Sequence, residues 1–404
     1  MQEAVLNQAW VAPAPMPPRL RAARLAVAAL FFLNGALFAS WVSRIPAVKS
    51  ARALGNGELG MVLLAVALGA VVAMPLGGML SGRFGSERIS KVTALLYCAL
   101  LPVLILAPNV TAFVFALFLF GAFHGALDVA MNAQAVVVEK LYRRPIMSSF
   151  HALWSTGGLA GAATGGLIAS QGVTPLVHLG LVALVSFAGV FLIVPHLLTS
   201  EPVHAAVHEK SRRFPRPTAG LLALGAVALC VMAGEGAMAD WSAVYLRNNL
   251  LTGEGLAAAG YAAFSLAMAA GRFLGDGLSA RFGPVTLVRA GGILAATGLA
   301  IALVFGQPVA ALIGFGCVGA GFATVVPMVF TAAGRTPGIS PGVAIASVTT
   351  LGYLGFLAGP PVIGFVAELI GLREALGILV LTSLTVASLA SALESSRPGL
   401  DTSG

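Results

Sequence analysis

Charge is what this chain has least of. Only 9% of its 404 residues are Asp, Glu, Lys or Arg, against roughly 25% in soluble domains, and the shortage runs along most of the length. So few charged side chains do not cover a soluble domain of this size. With 58% hydrophobic residues and a mean hydropathy of +0.94, the composition is that of a polytopic helical membrane protein. Cysteine is almost missing as well. Cys98, Cys230 and Cys317 all fall in apolar runs, which leaves neither a disulfide framework nor metal-ligand spacing and marks them as small core residues. The P-loop, His-Glu-x-x-His and Gly-x-Ser-x-Gly signatures are also lacking, so neither catalysis nor a cofactor is expected. Without an ATP site, the energy for any work is expected from a gradient. A net charge of +8 does not point to nucleic acid, because the basic residues are scattered between apolar segments as in cytoplasmic loops. No cleavable signal peptide is evident.

What is there is a series of apolar runs, each long enough to cross a bilayer about 30 Å thick. They lie at 23–43, 58–81, 89–107, 111–138, 148–170 and 175–197, and again at 219–246, 255–280, 284–305, 308–333, 341–368 and 373–393. Between the two sets lies TSEPVHAAVHEKSRRFPRPT, 199–218, the one long polar stretch. The expected organisation is a tail at 1–22, a six-helix bundle at 23–198, a hinge at 199–218, a second bundle at 219–393 and a tail at 394–404. Pro13, Pro15, Pro17 and Pro18, followed by Arg19, Arg21 and Arg24, make the first tail a disordered segment held inside by charge. His204 and His208 share helical spacing in the hinge, where a solvated linker is the reading preferred over a metal site.

Orientation follows from counting cations. With the N-terminus inside, 17 lysines and arginines fall on the inner side, 5 on the outer, and Arg272 inside a helix. The positive-inside rule then puts both termini and the hinge in the cytoplasm.

The two halves are related. LGGMLSGRFG at 76–85 and LGDGLSARFG at 274–283 match at seven of ten positions, each closing an even-numbered span on the inner side. A repeat at half the chain length with one topology implies two parallel six-helix units. A weaker echo joins NGALFASW at 34–41 to EGAMADW at 235–241, pairing Asn34 with Glu235 and Trp41 with Trp241. The G-x-L-x-x-R-F-G loop, with Arg83, Gly85, Arg281 and Gly283, resembles the signature loop of the major facilitator superfamily. Span count, orientation, hinge and repeat extend that resemblance over essentially the whole chain. DVAMNAQAVVVE, SSFHALWSTGG and GEGAMADWSAVYL are similar to the branch near the fucose permeases and rhizopine-type transport proteins. The resemblance implies the superfamily fold, all-α, with twelve transmembrane helices in two pseudo-symmetric six-helix bundles, and transport by alternating access. One departure stands out: Gly82 and Ala280 occupy the places before the basic residue where the family loop carries an acid. Asp276 is a partial substitute in the second copy.

Polar residues inside apolar runs are costly, roughly 2.5–3.5 kcal/mol for a charge at the bilayer centre, so they mark function or pairing. On the fourth span His124, Asp128 and Asn132 recur at i, i+4, i+8, with Glu139 on the same side. Two readings stand: His124 and Asp128 satisfy each other as helix glue, or Asp128, aided by His124, is a proton or substrate site. The fifth span places Ser148, His151, Ser155 and Gly158 on one face with Trp154 beside it, an aromatic wall near hydrogen-bonding groups that suits a polyol. Gly157, Gly158, Gly161, Gly165 and Gly166 favour close helix approach. The seventh carries Glu235 between Gly234 and Gly236, expected to weaken the helix there as in discontinuous transporter helices. Asp240 follows, pointing to another side, with Arg247 or Arg44 as a partner. Arg272 and Asp276 form an i, i+4 pair expected to be a structural or gating ion pair. In fucose permeases an acid on the first helix assists one on the fourth; Asn34 stands on the first span here, so that implication reaches Asp128 only.

The expectation is a secondary transporter of the inner (plasma) membrane, a monomer moving a small polar solute such as a sugar, polyol or inositol-like molecule together with protons. Asn34, Trp41, Asn132, His151 and Trp154 are expected to bind the solute, and Asp128, Glu235 and His124 to carry the proton, with Tyr353 and Phe356 closing the cavity. A drug or metabolite efflux carrier and a non-transporting membrane receptor or scaffold remain as alternatives.

Overall fold

Hydrocarbon offers a backbone no hydrogen-bonding partner, so each crossing must satisfy its own amides. The chain does this with helices throughout; among the described residues there is no strand. The computed structural model describes residues 17–142, 146–199, 218–337, 339 and 341–394, without the side chains of Asp276 and Pro341. Most of the hinge and of both terminal tails therefore lies outside the described residues.

The first half runs α1 Pro18–Val42, α2 Asn56–Phe84, α3 Ser86–Leu106, α4 Val110–Tyr142, α5 Met147–Ser170 and α6 Pro175–Ile193. The second runs α7 Ala219–Val244, α8 Glu254–Phe282, α9 Pro284–Phe305, α10 Pro308–Phe322, α11 Pro341–Ile370 and α12 Gly377–Ser388. A short helix Ile45–Ala51 follows α1, Val325–Ala333 prolongs the line of α10, and a 3-10 turn at Leu389–Leu393 prolongs α12. Eleven stretches are both long and apolar enough to cross a membrane among the described residues. The remaining helix is α5, whose 24 residues suffice in length. Its five glycines with Ser, Thr and His dilute its apolarity. At about 1.5 Å per residue, the 33 residues of α4 exceed the hydrocarbon thickness, so this helix stands proud of the bilayer or tilts.

The sequence repeat is a structural repeat. Gly85 (φ +91°) and Gly283 (φ +77°) each form the turn between one helix and the next, α2 to α3 and α8 to α9. That left-handed backbone favours glycine. Just before it, the Arg83 guanidinium sits 5.1 Å from the Phe84 ring centroid and that of Arg281 5.3 Å from Phe282. Both copies thus share one turn and one cation–π contact.

Glycine also sets how closely the helices approach. A Cβ on Gly157 would lie 2.0 Å from the Phe32 carbonyl oxygen, and one on Gly35 2.1 Å from that of Trp154, so α1 and α5 touch backbone to backbone. The opposite edge of α5 meets α8 of the other half, where Gly166 abuts Gly255. The second seam between halves joins α2 to α11, with Gly60 against Pro360. Both contacts lie toward the face away from the termini. The seventh helix differs from expectation: α7 is continuous through Gly234–Glu235–Gly236. Its glycines make room for rings instead. A Cβ at Gly234 would come 2.5 Å from Phe322, and one at Gly236 3.0 Å from Phe356.

Gly157→Ala should therefore lower stability by about 1–3 kcal/mol through overpacking, while Gly180→Ala, with nothing within 4 Å, should leave it unchanged. Thermal unfolding of the two variants in detergent measures the difference; equal midpoints would contradict backbone contact between α1 and α5.

Candidate functional site

The α4 stripe faces inward, where a cavity of about 190 Å³ lies between the halves. Asp128 and His124 line it, but no hydrogen bond joins them. Asp128 accepts instead from the Asn132 amide at 3.2 Å, and the same nitrogen donates to the Asp128 carbonyl at 2.8 Å. Asn132 thus stands behind Asp128 and orients it. His124 stacks on Phe38 with centroids 5.4 Å apart, and its Nδ1 is buried without a partner. Glu139, two turns beyond Asn132, serves a different end: its carboxylate accepts from the backbone N–H groups of Ile146 and Met147, both at 2.7 Å, at the start of α5.

Trp154 walls the cavity from α5, and its indole N–H donates to Asn34 Oδ1 at 2.9 Å. Asn34 is fully buried, so it fixes the indole from behind and does not itself border the space. Trp41 does border it, yet is 2% exposed and packs edge-on against Phe113 and Phe120; most of its ring belongs to the core. His151 lies lower, in a vestibule of about 580 Å³ that opens on the face carrying the termini, beside Arg272 and Ser148. Of the five residues expected to contact a solute, then, two border the cavity, two stand behind it and one lines its approach.

The second half contributes two acids. Glu235 and Asp240 both line the cavity, although five residues apart on α7 they are about 140° apart around the helix; the space wraps that side of α7. Glu235 lies 3.7 Å from Arg272, which donates to Ser155 Oγ across the seam at 2.7 Å. The Asp276 side chain, expected as the partner of Arg272, lies outside the described set. Asp240 has no ion pair among the described residues. Both cations considered for it are engaged elsewhere: Arg44 with Glu254 at 3.2 Å, and Arg247 with the Thr252 carbonyl at 2.6 Å.

Sequence reasoning took Arg272 and Asp276 from α8 and missed the residues above them. Tyr261, Ser265 and Met268 line the cavity with Arg272 below them, and their spacing of i, i+4, i+7, i+11 was a readable helical stripe. From α11, Tyr353 and Phe356 border the space, rings 6.1 Å apart. No Lys or Arg lines the cavity itself, so its polar character is acidic, set in aromatic walls. On the face away from the termini the halves are tied by Arg44–Glu254 and by Glu368, which accepts from the N–H groups of Asn56 and Gly57 at 2.9 and 3.2 Å. These ties lie on the face opposite the one on which the vestibule beside His151 opens.

Residues 25–360 match the family model for the Major Facilitator Superfamily. The chain is 39% identical over 370 residues to an uncharacterized transporter, y4wD, of Sinorhizobium fredii, covering 91% of this chain and 97% of that one. It is 38% identical to membrane protein MosC of Rhizobium meliloti (90% and 88% covered) and 36% identical to an uncharacterized MFS-type transporter of Yersinia pestis (90% and 94%). Among solved structures, a bacterial homolog to the human lysosomal transporter Spinster, inward-facing and occupied, superposes with a TM-score of 0.74 at 14% identity, covering 96% of this chain and all of that one. The MFS transporter FucP in its outward conformation gives 0.63 at 18% (93% and 98%). These two share the fold.

Removing Arg272 leaves the Glu235 carboxylate uncompensated in a nearly buried place. Arg272→Ala should cost about 3 kcal/mol, and adding Glu235→Gln should restore most of it. Thermal unfolding of the single and double variants measures the coupling; a double variant no more stable than Arg272→Ala would mean that the 3.7 Å approach carries no interaction.

Proposed function

The chain belongs to the Major Facilitator Superfamily, and from that premise we propose that it is a proton-coupled secondary transporter for a small polar solute, of the sugar, polyol or inositol-like class. The observation that carries this reading is the cavity between the halves, acidic and aromatic-walled. Its volume of about 190 Å³ falls below the roughly 300–1,000 Å³ of pockets for drug-sized ligands, which favours a small solute over a bulky efflux substrate. Rings such as Trp154 and Tyr353 stack on the apolar face of a hydroxylated ring, while carboxylates accept from its hydroxyls. Asp128 and Asp240 lack a cation partner, and a carboxylate in so dry a place calls for one. A proton arriving with the solute supplies it. Glu235, bridged to Ser155 through Arg272, links that charge balance to the seam. His124, stacked beside Asp128, completes the set. The solute crosses unchanged, so the chain is a carrier and not an enzyme, and a single copy holds the whole path. Alternating access then consists of rocking the halves on the α5–α8 and α2–α11 seams.

Accumulation of labelled sugars and cyclic polyols into vesicles under an imposed pH gradient tests the reading. Asp128→Asn, Glu235→Gln and Asp240→Asn should each reduce gradient-driven uptake about tenfold or more, and Phe115→Ala, on a side chain 62% exposed on the outer surface, should not. Full accumulation in all three acid variants would remove the proton from the mechanism.

The distribution of 17 inner against 5 outer cations supports a plasma-membrane orientation with termini and hinge in the cytoplasm. An impermeant thiol reagent added to intact cells should leave Lys210→Cys unlabelled and label it after lysis. Labelling before lysis would invert the topology.

A further inference from the structure

The face away from the termini is shut by two ties between the halves, and one is built around a histidine. Arg44, in the turn after α1, is wholly buried. Its Nη1 reaches Glu254, the first residue of α8, at 3.2 Å; its Nη2 donates to the Val173 carbonyl at 3.1 Å; its Nε donates to His178 Nδ1 at 3.0 Å. The neighbouring arginines on this face are held differently. Arg52 donates only to the carbonyls of Leu104, Ile105 and Ala107, and Arg373 only to those of Leu303 and Val304. A backbone carbonyl accepts at any pH; an imidazole nitrogen does not.

We infer that His178 is a proton-operated release for the tie between Arg44 and Glu254. With Nδ1 bare, the imidazole accepts from Arg44 and holds the guanidinium facing the carboxylate of the other half. A proton taken up at Nδ1 removes that acceptor and sets one cation against another at hydrogen-bond distance. The guanidinium then leaves its seat and the halves lose one of the two ties on this face. The ring has little room to accommodate the change otherwise: a Cβ on Gly165 of α5 would come 3.2 Å from its Cε1, and the ring is fully buried. Nε2 is buried without a partner, so no second acceptor stabilises the neutral form's own proton. Arg44 is the charged group within electrostatic reach of the ring, with Glu254 beyond it; Ser43 of the same turn and Gly165 add no ionisable group. Glu254, whose side chain is 40% exposed, is the solvent-facing end of the tie. The other tie, Glu368 on the start of α2, has Lys49 as its charged neighbour and no histidine. This release stands apart from the solute site and does not depend on which solute is carried.

Spin labels at Ser50→Cys in the first half and Leu251→Cys in the second, both exposed, report the separation on this face in full-length protein carrying Cys317→Ala; Cys98 and Cys230 are buried. Electron–electron distance measurements at about pH 8 should give a short distance, and at about pH 5 a longer population enriched about tenfold. His178→Gln keeps an acceptor for Arg44 that does not titrate, so it should stay short at both pH values. Arg44→Gln should show the long population at both. Glu254→Gln, which removes the carboxylate end of the tie, should likewise show the long population at both. An acid response that survives His178→Gln, or a wild type that does not respond, would overturn the inference.

Discussion

A charge inside the bilayer has no neutral ground: it must find a partner, water or a bound solute. That constraint arranges the whole molecule. Six charged side chains dominate its interior and seams, and none faces lipid. Asp128 has Asn132, Glu235 has Arg272, Arg44 has Glu254 and His178, and Asp240 opens on the cavity. The remaining surfaces of the same helices are apolar and meet lipid, as Phe115 of α4 and Leu181 and Leu184 of α6 do. Once the polar stripes of α4, α7 and α8 must face one another, a space between the halves follows, because three carboxylates cannot be packed as a dry core.

How the helices come near enough to enclose that space is a matter of glycine. Between lipid-soluble helices the hydrophobic effect gives no net attraction, so association relies on close van der Waals approach. The glycines of α5 serve two neighbours at once. Gly157 and Gly161 lie against α1 within the first half, while Gly158 and Gly166 lie against α8 of the second. One helix thereby belongs to a bundle and to a seam, and the Trp154 that it carries is placed by both: Asn34 of α1 holds its indole, and the α8 contact sets its distance from Tyr261 and Ser265.

Much of this was legible in the sequence, and the parts that were not have a common physical cause. Length and apolarity located all the spans within a few residues, and the loops at Gly85 and Gly283 were readable because a helix-to-helix turn of one residue needs a left-handed backbone that only glycine supplies cheaply. Rotation about each helix axis was harder to read. Where a helix is apolar nearly all round, its sequence does not say which side meets lipid. Hence the cavity-lining part of α8, whose Tyr261 and Ser265 are uncharged, passed unnoticed, and Asp240, set on another side of α7 from Glu235, was not expected to meet the same space. Gly234 and Gly236 were read as a weak point in α7 because the rings that occupy their open sides, Phe322 and Phe356, come from α10 and α11. A partner more than 80 residues away leaves no local trace.

The two kinds of contact between halves differ in how they yield, and this bears on how such a molecule moves. Further in, Arg272 reaches Ser155 across the α5–α8 seam. At the ends of α5–α8 and α2–α11 away from the termini, however, the surfaces meet through glycine and backbone, as at Gly166 with Gly255 and Gly60 with Pro360. No side chain interlocks at these points and must be withdrawn before the surfaces part. Interdigitated cores respond to displacement with strain; a glycine seam lets one backbone roll on another. On this face, directional polar ties, Arg44 to Glu254 and Glu368 to the start of α2, hold the halves together. Glu254 is 40% exposed and water replaces what it loses, but Arg44 is wholly buried and must leave its seat to be hydrated. Parting α1 from α5 inside a half forfeits a run of backbone contacts with nothing to replace them. Stiff halves joined by smooth seams and exchangeable ties follow from where the sequence places glycine and where it places charge.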